Sequence, residues 1–514
     1  MKNKSRMQYS LLNSSISAVI YIFNIAIKFL SRSFFIHFLG AKYLGLNGLF
    51  TNVLSMLSLA ELGIGTSIVF SLYAPLAKKD KSKINLLMHL YKKIYTVIGV
   101  VVGLLGIMLI PILPHIIGDA RGIPGIYLIY FLFLLNSVSS YFFTYNRSLL
   151  IADQRAYITV IFDFICNVIV TVVQIISLYL FNNYFIYLSI QIFGTIITNL
   201  FLTLNVKRLY PYLSSGTGND HLDEQTKDVL KKNTIGNLSS KIGSVVVSGT
   251  DNIFISSFVG IGTVGLYSNY VLIINSIRGL CGQITNSITS SIGNVGVDQN
   301  DELSKRIFER HNFVNFSLTF FSSVILVSTI NPFIVLWVGN DYELPAKTVF
   351  LIILNFIILM LRNSCIVFID ALGLAWQQRW KSVIEALMNI SLSFLFLLIF
   401  KLGINGVLLA TTLSSLLTVS WIEPYVVYKH GLHSNIINYL KIISKQLISL
   451  LLALTFSHFL LVDRFSISFI GLVYYGVSGL IIALVIYIIF FWKSAEFEFL
   501  FTTLFDIVRK KMKK

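Results

Sequence analysis

Charge is what this sequence has least of. Asp, Glu, Lys and Arg make up 12% of its 514 residues, about half the ~25% usual in soluble chains. That excludes a string of soluble domains, although at ~150 residues each the length alone would suggest three or four. Cysteine is nearly absent: Cys166, Cys281 and Cys365 each lie inside an apolar run. They cannot build a disulfide framework or a CxxC metal pair. No HExxH, P-loop, GxSxG or DxD occurs, so those enzyme chemistries are unavailable and neither a catalytic residue nor a metal site is expected. The lone GxGxxG, Gly260 to Gly265, follows no strand, and its glycines fit a tight turn between two spans instead. What the chain has in abundance is apolar surface, with 55% hydrophobic residues and a mean hydropathy of +0.78. It reads as an all-α polytopic membrane protein.

A hydrocarbon core of ~30 Å needs ~20 apolar residues in a helix. Fourteen such runs are present. Six occupy the first half: Leu11–Leu39, Leu44–Tyr73, Ile94–Leu113, Ile126–Phe143, Tyr157–Leu180 and Tyr184–Leu204. Six more follow as Ile235–Phe258, Val264–Ile292, Phe313–Val338, Thr348–Ile369, Val383–Phe400 and Ile404–Val427, then Ile443–Leu461 and Ile467–Phe491. The first run is too long and too polar inside for a cleavable signal peptide.

The net charge of +17 could mean nucleic acid or a membrane face. Threaded through fourteen spans, 30 Lys and Arg fall on one side, five on the other and five within the membrane. The positive-inside rule then puts both termini in the cytoplasm, and the basic charge is topological, so no nucleic-acid partner is expected. The outer loops are too short to house catalysis. Beyond the last span, Phe497, Leu500, Phe501, Leu504, Ile507 and Val508 form an apolar stripe before a basic tail, as an interfacial helix on anionic lipid would.

The chain also repeats itself. Phe38–Gly40 and Leu44–Leu46 return as Phe258–Gly260 and Val264–Leu266, displaced by 220; Phe131–Asn136 returns as Phe350–Asn355, displaced by 219; Asp163 and Asn167 return as Glu385 and Asn389, displaced by 222. Six spans are an even number, so the copies enter the membrane the same way, and such parallel repeats leave a cleft suited to alternating access. The expected organisation is an N-lobe over 1–206, a cytoplasmic linker over 207–232, a C-lobe over 233–428, and two further spans with a basic tail over 429–514. A cleft inside one duplicated chain needs no second subunit, so a monomer is expected.

Polar residues in the spans mark what the cleft would hold. Ser17, Tyr21, Asn24, Lys28 and Arg32 recur at helical spacing on one face of the first span. The seventh span answers with Asn237, Lys241, Ser244, Ser248 and Asp251. Glu61 lies in the second span, Asn275 and Arg278 in the eighth and Arg362 in the tenth. A mid-bilayer charge costs at least ~2.5–3.5 kcal/mol, so each needs a partner, water or a ligand. Lys28, Arg32, Arg278 and Arg362, with Asn24 and Asn275, would suit an anionic headgroup; alternatively the cations pair internally, Arg32 with Glu61 or Arg278 with Asp251. Glu61, Lys241, Asp251 and Asn389 are the candidates for gating or for sodium or proton coupling, with no bound cofactor expected.

Two stretches carry a resemblance. Phe38 to Asp80, "FLGAKYLGLNGLFTNVLSMLSLAELGIGTSIVFSLYAPLAKKD", and Thr250 to Tyr270, "TDNIFISSFVGIGTVGLYSNY", resemble the two half-signatures of Wzx-type oligosaccharide flippases. That family shares a superfamily with multidrug exporters and MurJ-type lipid II flippases. The resemblance implies a bacterial cytoplasmic-membrane flippase moving undecaprenyl-diphosphate-linked repeat units from inner to outer leaflet for capsule or exopolysaccharide. It also implies polymerase and glycosyltransferase partners, and a cationic cavity at Lys28, Arg32 and Arg278. The MurJ type has an arginine where Lys28 stands, and Glu61 comes without an arginine in its span; sodium coupling in related flippases would fall to Asp251 and Asn389. A multidrug/cation antiporter is the alternative within the fold, though cationic drugs call for acids in the cavity. A membrane glycosyltransferase or polymerase would have to work with Asp119, Asp341, Glu343 and Asp463 as its outer acids.

Overall fold

The computed structural model describes residues 6–58, 64–117, 123–214, 249–295, 301–461 and 468–502. All regular structure among them is helical. Among the described residues eleven helices are long and apolar enough to cross a membrane, where the sequence led to an expectation of fourteen spans for the whole chain, and the chain is a multi-pass membrane protein. Several expectations lie outside the described residues: Glu61, most of the linker, the start of the seventh span with Lys241, and the tail beyond Thr502.

The chain forms two compact units, Met1–Gly265 and Leu266–Lys514. The first opens with one helical stretch, Arg6–Leu57, broken only at Gly40 into α1 (6–39) and α2 (41–57). It continues with α3 (Ile64–Lys78), α4 (Lys81–Leu109), α5 (Ile126–Ala152), α6 (Ala156–Phe181) and α7 (Tyr184–Leu209). The described end of the seventh span is α8 (249–258), followed by the start of α9 (Ile261–Val295). Helix starts are marked by side-chain caps: Asp80 accepts from Lys83 N at 3.0 Å, and Asn183 from Phe185 N at 2.8 Å. The interior is built from Leu72, Leu87, Tyr91, Tyr95, Leu149 and Leu202, all buried, and the Tyr130 hydroxyl donates to the Gly106 carbonyl at 2.9 Å. Just past α7, burial and the Asp153 carboxylate together push the Tyr210 phenol up, and it donates to Asp153 Oδ2 at 2.5 Å.

The duplicated glycine motifs have a shared structural meaning. Gly40 and Gly260 are equivalent under the offset of 220, and both hold positive φ, 76° and 125°, where only glycine is unstrained. Each lets a helix end and the next begin one residue later. Four residues on, Gly45 and Gly265 make reciprocal close approaches. A methyl group on Gly45 would overlap the Ile261 carbonyl oxygen, and one on Gly265 the Ala41 carbonyl oxygen. Ala41 and Ile261 are themselves repeat partners, so the contact is self-complementary, as a two-fold axis through it requires.

The second unit holds the rest of α9, then α10 (Asp301–Val338) and α11 (Ala346–Ala371). Next come α12 (Lys381–Phe394), running on in π form to Ile399, α13 (Ile404–Leu417), α14 (Val419–Val426), α15 (Ile436–Leu461) and α16 (Phe469–Phe491). The α13/α14 break is at Thr418, whose ψ of −85° is not helical. Phe308, Phe368, Tyr428 and Tyr439 share one buried cluster. The pair α15 and α16, which stands outside the duplication, packs on α10. Tyr487 lies among Phe313, Phe320 and Phe491, and it shares a 2.5 Å hydrogen bond with Ser317.

Candidate functional site: a polar track in the first unit and an ion network in the second

On α6, Thr159, Asp163, Asn167 and Thr171 recur every four residues and so lie on one face. This helix packs against α1, and Asn167 Nδ2 donates to Asn24 Oδ1 at 3.2 Å. One turn further along α1, Lys28 is exposed; another turn on, Arg32 is half-buried against Tyr187. Lys28 has no ion-pair partner among the described residues. It is eleven residues from the end of α1, ~16 Å at helical rise, too deep to snorkel easily. Facing hydrocarbon would cost at least ~2.5–3.5 kcal/mol, so this face of α1 needs water or a polar ligand against it.

At the other end of the α6 stripe, Arg147 of α5 grips Asp163 with both guanidinium nitrogens. Nη1 donates to Oδ2 at 2.5 Å and Nη2 to Oδ1 at 2.8 Å, while Nη2 also reaches Asn199 Oδ1 at 3.2 Å. The two side chains are 27% and 41% exposed. Beside them Asn146 donates to Thr203 at 2.9 Å. The track thus runs from the Arg147–Asp163 pair through Asn167 and Asn24 to Lys28 and Arg32.

The second unit repeats the stripe and closes it. Lys381, Glu385, Asn389 and Ser393 are all buried on one face of α12, each 222 residues after its α6 counterpart. Arg362 donates Nε to Glu423 Oε2 at 3.0 Å, Nη2 to Glu423 Oε1 at 2.7 Å and Nη1 to Glu385 Oε1 at 3.5 Å. Lys381 Nζ reaches Glu423 Oε1 at 2.6 Å, and Ser415 donates to Glu385 at 2.8 Å. Two cations and two carboxylates balance. Removing one partner of such a buried set costs about 3–5 kcal/mol, whereas an exposed pair is worth about 0–1 kcal/mol. Asn389, above this network, donates to Thr411 at 3.0 Å.

Asn24, Lys28 and Arg32 therefore share one face in the first unit, with Asp251 buried on α8. Asn275 and Arg278, three residues apart, are exposed on α9. Arg362, expected at a cargo-binding surface, is engaged with Glu423 and Glu385. Reading the sequence missed Arg147 and Lys381 because both sit near helix ends, where a basic residue is ordinary. The four-residue recurrence of polar positions at a common offset of 222 would have found Lys381.

No family model and no curated protein matches the sequence. Solved structures do match, and they define the class: this is the fold of MurJ and MATE transporters. A structure described as "Lipid II flippase MurJ, inward closed conformation" superposes with a TM-score of 0.68 at 15% identity, over 92% of this chain and 98% of that one. An inward-facing multidrug resistance MATE family transporter of the MOP superfamily gives 0.59 at 11%, over 82% and 99%. A point mutant of the Vibrio cholerae MATE transporter VcmN gives 0.57 at 13%, over 84% and 98%.

Proposed function

We propose that this chain is a flippase for undecaprenyl-diphosphate-linked oligosaccharide repeat units, of the Wzx type, working by alternating access in the bacterial cytoplasmic membrane with fourteen spans and both termini inside. The observation that carries the reading is Lys28: an exposed ammonium deep in a span, on a face shared with Asn24 and Arg32. A basic track suits a diphosphate, and Arg32 in the first unit and Arg278 in the second each offer a guanidinium fork of the kind that takes phosphate oxygens bidentately. It repels the cationic drugs of a multidrug antiporter. The glycan and diphosphate would follow the polar face while the polyprenyl tail stays in lipid. An inside-negative potential would favour outward movement of the anion by ~2.3 kcal/mol per charge per 100 mV. Sodium or proton coupling, if the cycle uses it, falls to Asp251 and Asn389. The partners on this reading are the glycosyltransferases that build the repeat unit and the polymerase that consumes it.

The fold likeness to a lipid II flippase over 92% of the chain gives a second reading, lipid II itself as cargo. One experiment tests both. In a conditional depletion strain, the lipid-linked pool is extracted and its leaflet assigned with an impermeant outer-face label. Complete repeat units accumulating on the inner leaflet are the expected result; lipid II accumulating instead selects the second reading, and an unchanged pool and surface glycan sink both. Arg32→Ala and Arg278→Ala should abolish glycan export with normal membrane insertion, while Arg32→Lys separates charge from bidentate geometry by how much export it retains.

A further inference from the structure

The two copies of the polar stripe differ in how tightly their arginines are held. In the second unit Arg362 is enclosed with Glu385, Glu423 and Lys381, side chains 14%, 8%, 0% and 9% exposed. In the first unit three of those charges are missing at the repeat offsets. Thr159 stands 222 residues before Lys381, Thr203 stands 220 before Glu423, and Phe143 stands 219 before Arg362. The arginine of this unit is Arg147, one turn past Phe143, held by one carboxylate, with the pair 27% and 41% exposed.

We propose that Arg147 and Asp163 form an exchangeable anion site, the first station of the α1/α6 track: an incoming diphosphate displaces Asp163 from the Arg147 guanidinium and then passes on toward Asn24 and Lys28. The inference rests on the diphosphate-lipid reading of the chain. Four observations carry it. The parallel Nη1 and Nη2 bonds to two carboxylate oxygens have the fork geometry that a phosphate also accepts. Asn199 Oδ1 holds Nη2 independently at 3.2 Å, so the fork stays aimed when Asp163 leaves. Asp163 is exposed enough to be hydrated on release. The placement also fits a first station. Arg147 is five residues from the end of α5 and Asp163 seven from the start of α6, roughly 8 and 10 Å along their helices. Asn167, one turn deeper, makes the bond to Asn24. Asp163 then acts as a competing counter-ion, so that only an anion of higher charge, able to take both guanidinium nitrogens, opens the pair.

The test uses full-length protein in phosphatidylcholine nanodiscs, with farnesyl diphosphate as the probe and its binding isotherm as the readout. Arg147→Gln should weaken binding at least tenfold. Asp163→Asn should tighten it threefold or more, because the amide keeps the shape and loses the competing charge. The opposite signs are diagnostic, since a purely structural pair would lose thermal stability in both variants without strengthening either isotherm. If Arg147→Gln is not monodisperse, the sign of the Asp163→Asn shift decides alone. Wild-type binding with Asp163→Asn unchanged or weaker overturns the role of the pair and leaves the flippase reading standing. Failure of the wild-type chain to bind farnesyl diphosphate overturns the diphosphate reading itself, and this inference with it.

Discussion

At the scale of single residues, the charges within the spans divide by the company they keep. Lys28 and Arg278 are exposed without an ion-pair partner among the described residues, whereas Arg362, Lys381, Glu385 and Glu423 close on one another. The two groups should separate in measurement. Arg362→Met leaves Glu423 in a buried site with Lys381 as its one remaining ion-pair partner, and we expect a loss of about 3–5 kcal/mol, read as a lowered unfolding midpoint of the purified protein. Lys28→Met should leave that midpoint nearly unchanged, within ~0.5 kcal/mol, while impairing glycan export. An unshifted midpoint for Arg362→Met would mean that the network does not hold the second unit together. Lys28, Arg278 and Arg362 were legible in the sequence as charges within spans; their pairing, and the part of Lys381 in it, was not. Which cation meets which carboxylate depends on the rotation and depth of three helices. Arg362 could be imagined at a cargo surface until the turn carrying Glu423, just beyond the Thr418 break, brought a carboxylate to it.

At the scale of elements, the repeated motif FLG/LGL and FVG/VGL showed through the sequence because its glycines answer to backbone geometry and not to burial. Gly260 was readable as a turn, and Gly40 is its equivalent at the offset of 220. The crossing of Gly45 with Ile261 and of Gly265 with Ala41 was not, because close approach is a property of two segments 220 residues apart. The consequence can be measured. Gly45→Ala or Gly265→Ala puts a methyl group onto a backbone oxygen, where no rotamer can relieve it, and overpacking of this kind costs about 1–3 kcal/mol. Since each substitution parts the same two-fold contact, the double variant should cost little more than either single one, a departure from additivity expected of coupled neighbours. Gly262→Ala, with nothing near its added methyl group, should be close to neutral. Additive losses in the double variant would show that the two glycines pack independently.

At the scale of the whole molecule, hydrophobic length settled most of the span boundaries. A helix in hydrocarbon must satisfy its own backbone and be about 20 residues long, so α5, α6, α7, α11 and α16 begin or end within a few residues of the apolar runs. The twelfth run is an exception, since the apolar stretch Ile404–Val427 covers two helices, α13 and α14, on either side of Thr418. Length is blind to such a break because Leu, Ile and Val suit both a continuous helix and two short ones. Orientation depends on the lysines and arginines, and it can be tested residue by residue. In a chain whose three cysteines are replaced by Ser, Lys42→Cys and Lys347→Cys should react with an impermeant maleimide in intact cells. Ser82→Cys and Lys441→Cys should react only after permeabilisation. All four positions are exposed, so a missing label reports sidedness and not burial. The first pair lies in the opening turns of α2 and α11, each the single basic residue between two apolar runs, and the second beside basic clusters. Labelling of Ser82→Cys from outside would invert the first unit, and labelling of Lys441→Cys alone would mean an odd number of spans between the two positions. Such an odd count would turn the second copy of the repeat over in the membrane, replacing a parallel duplication with an inverted one.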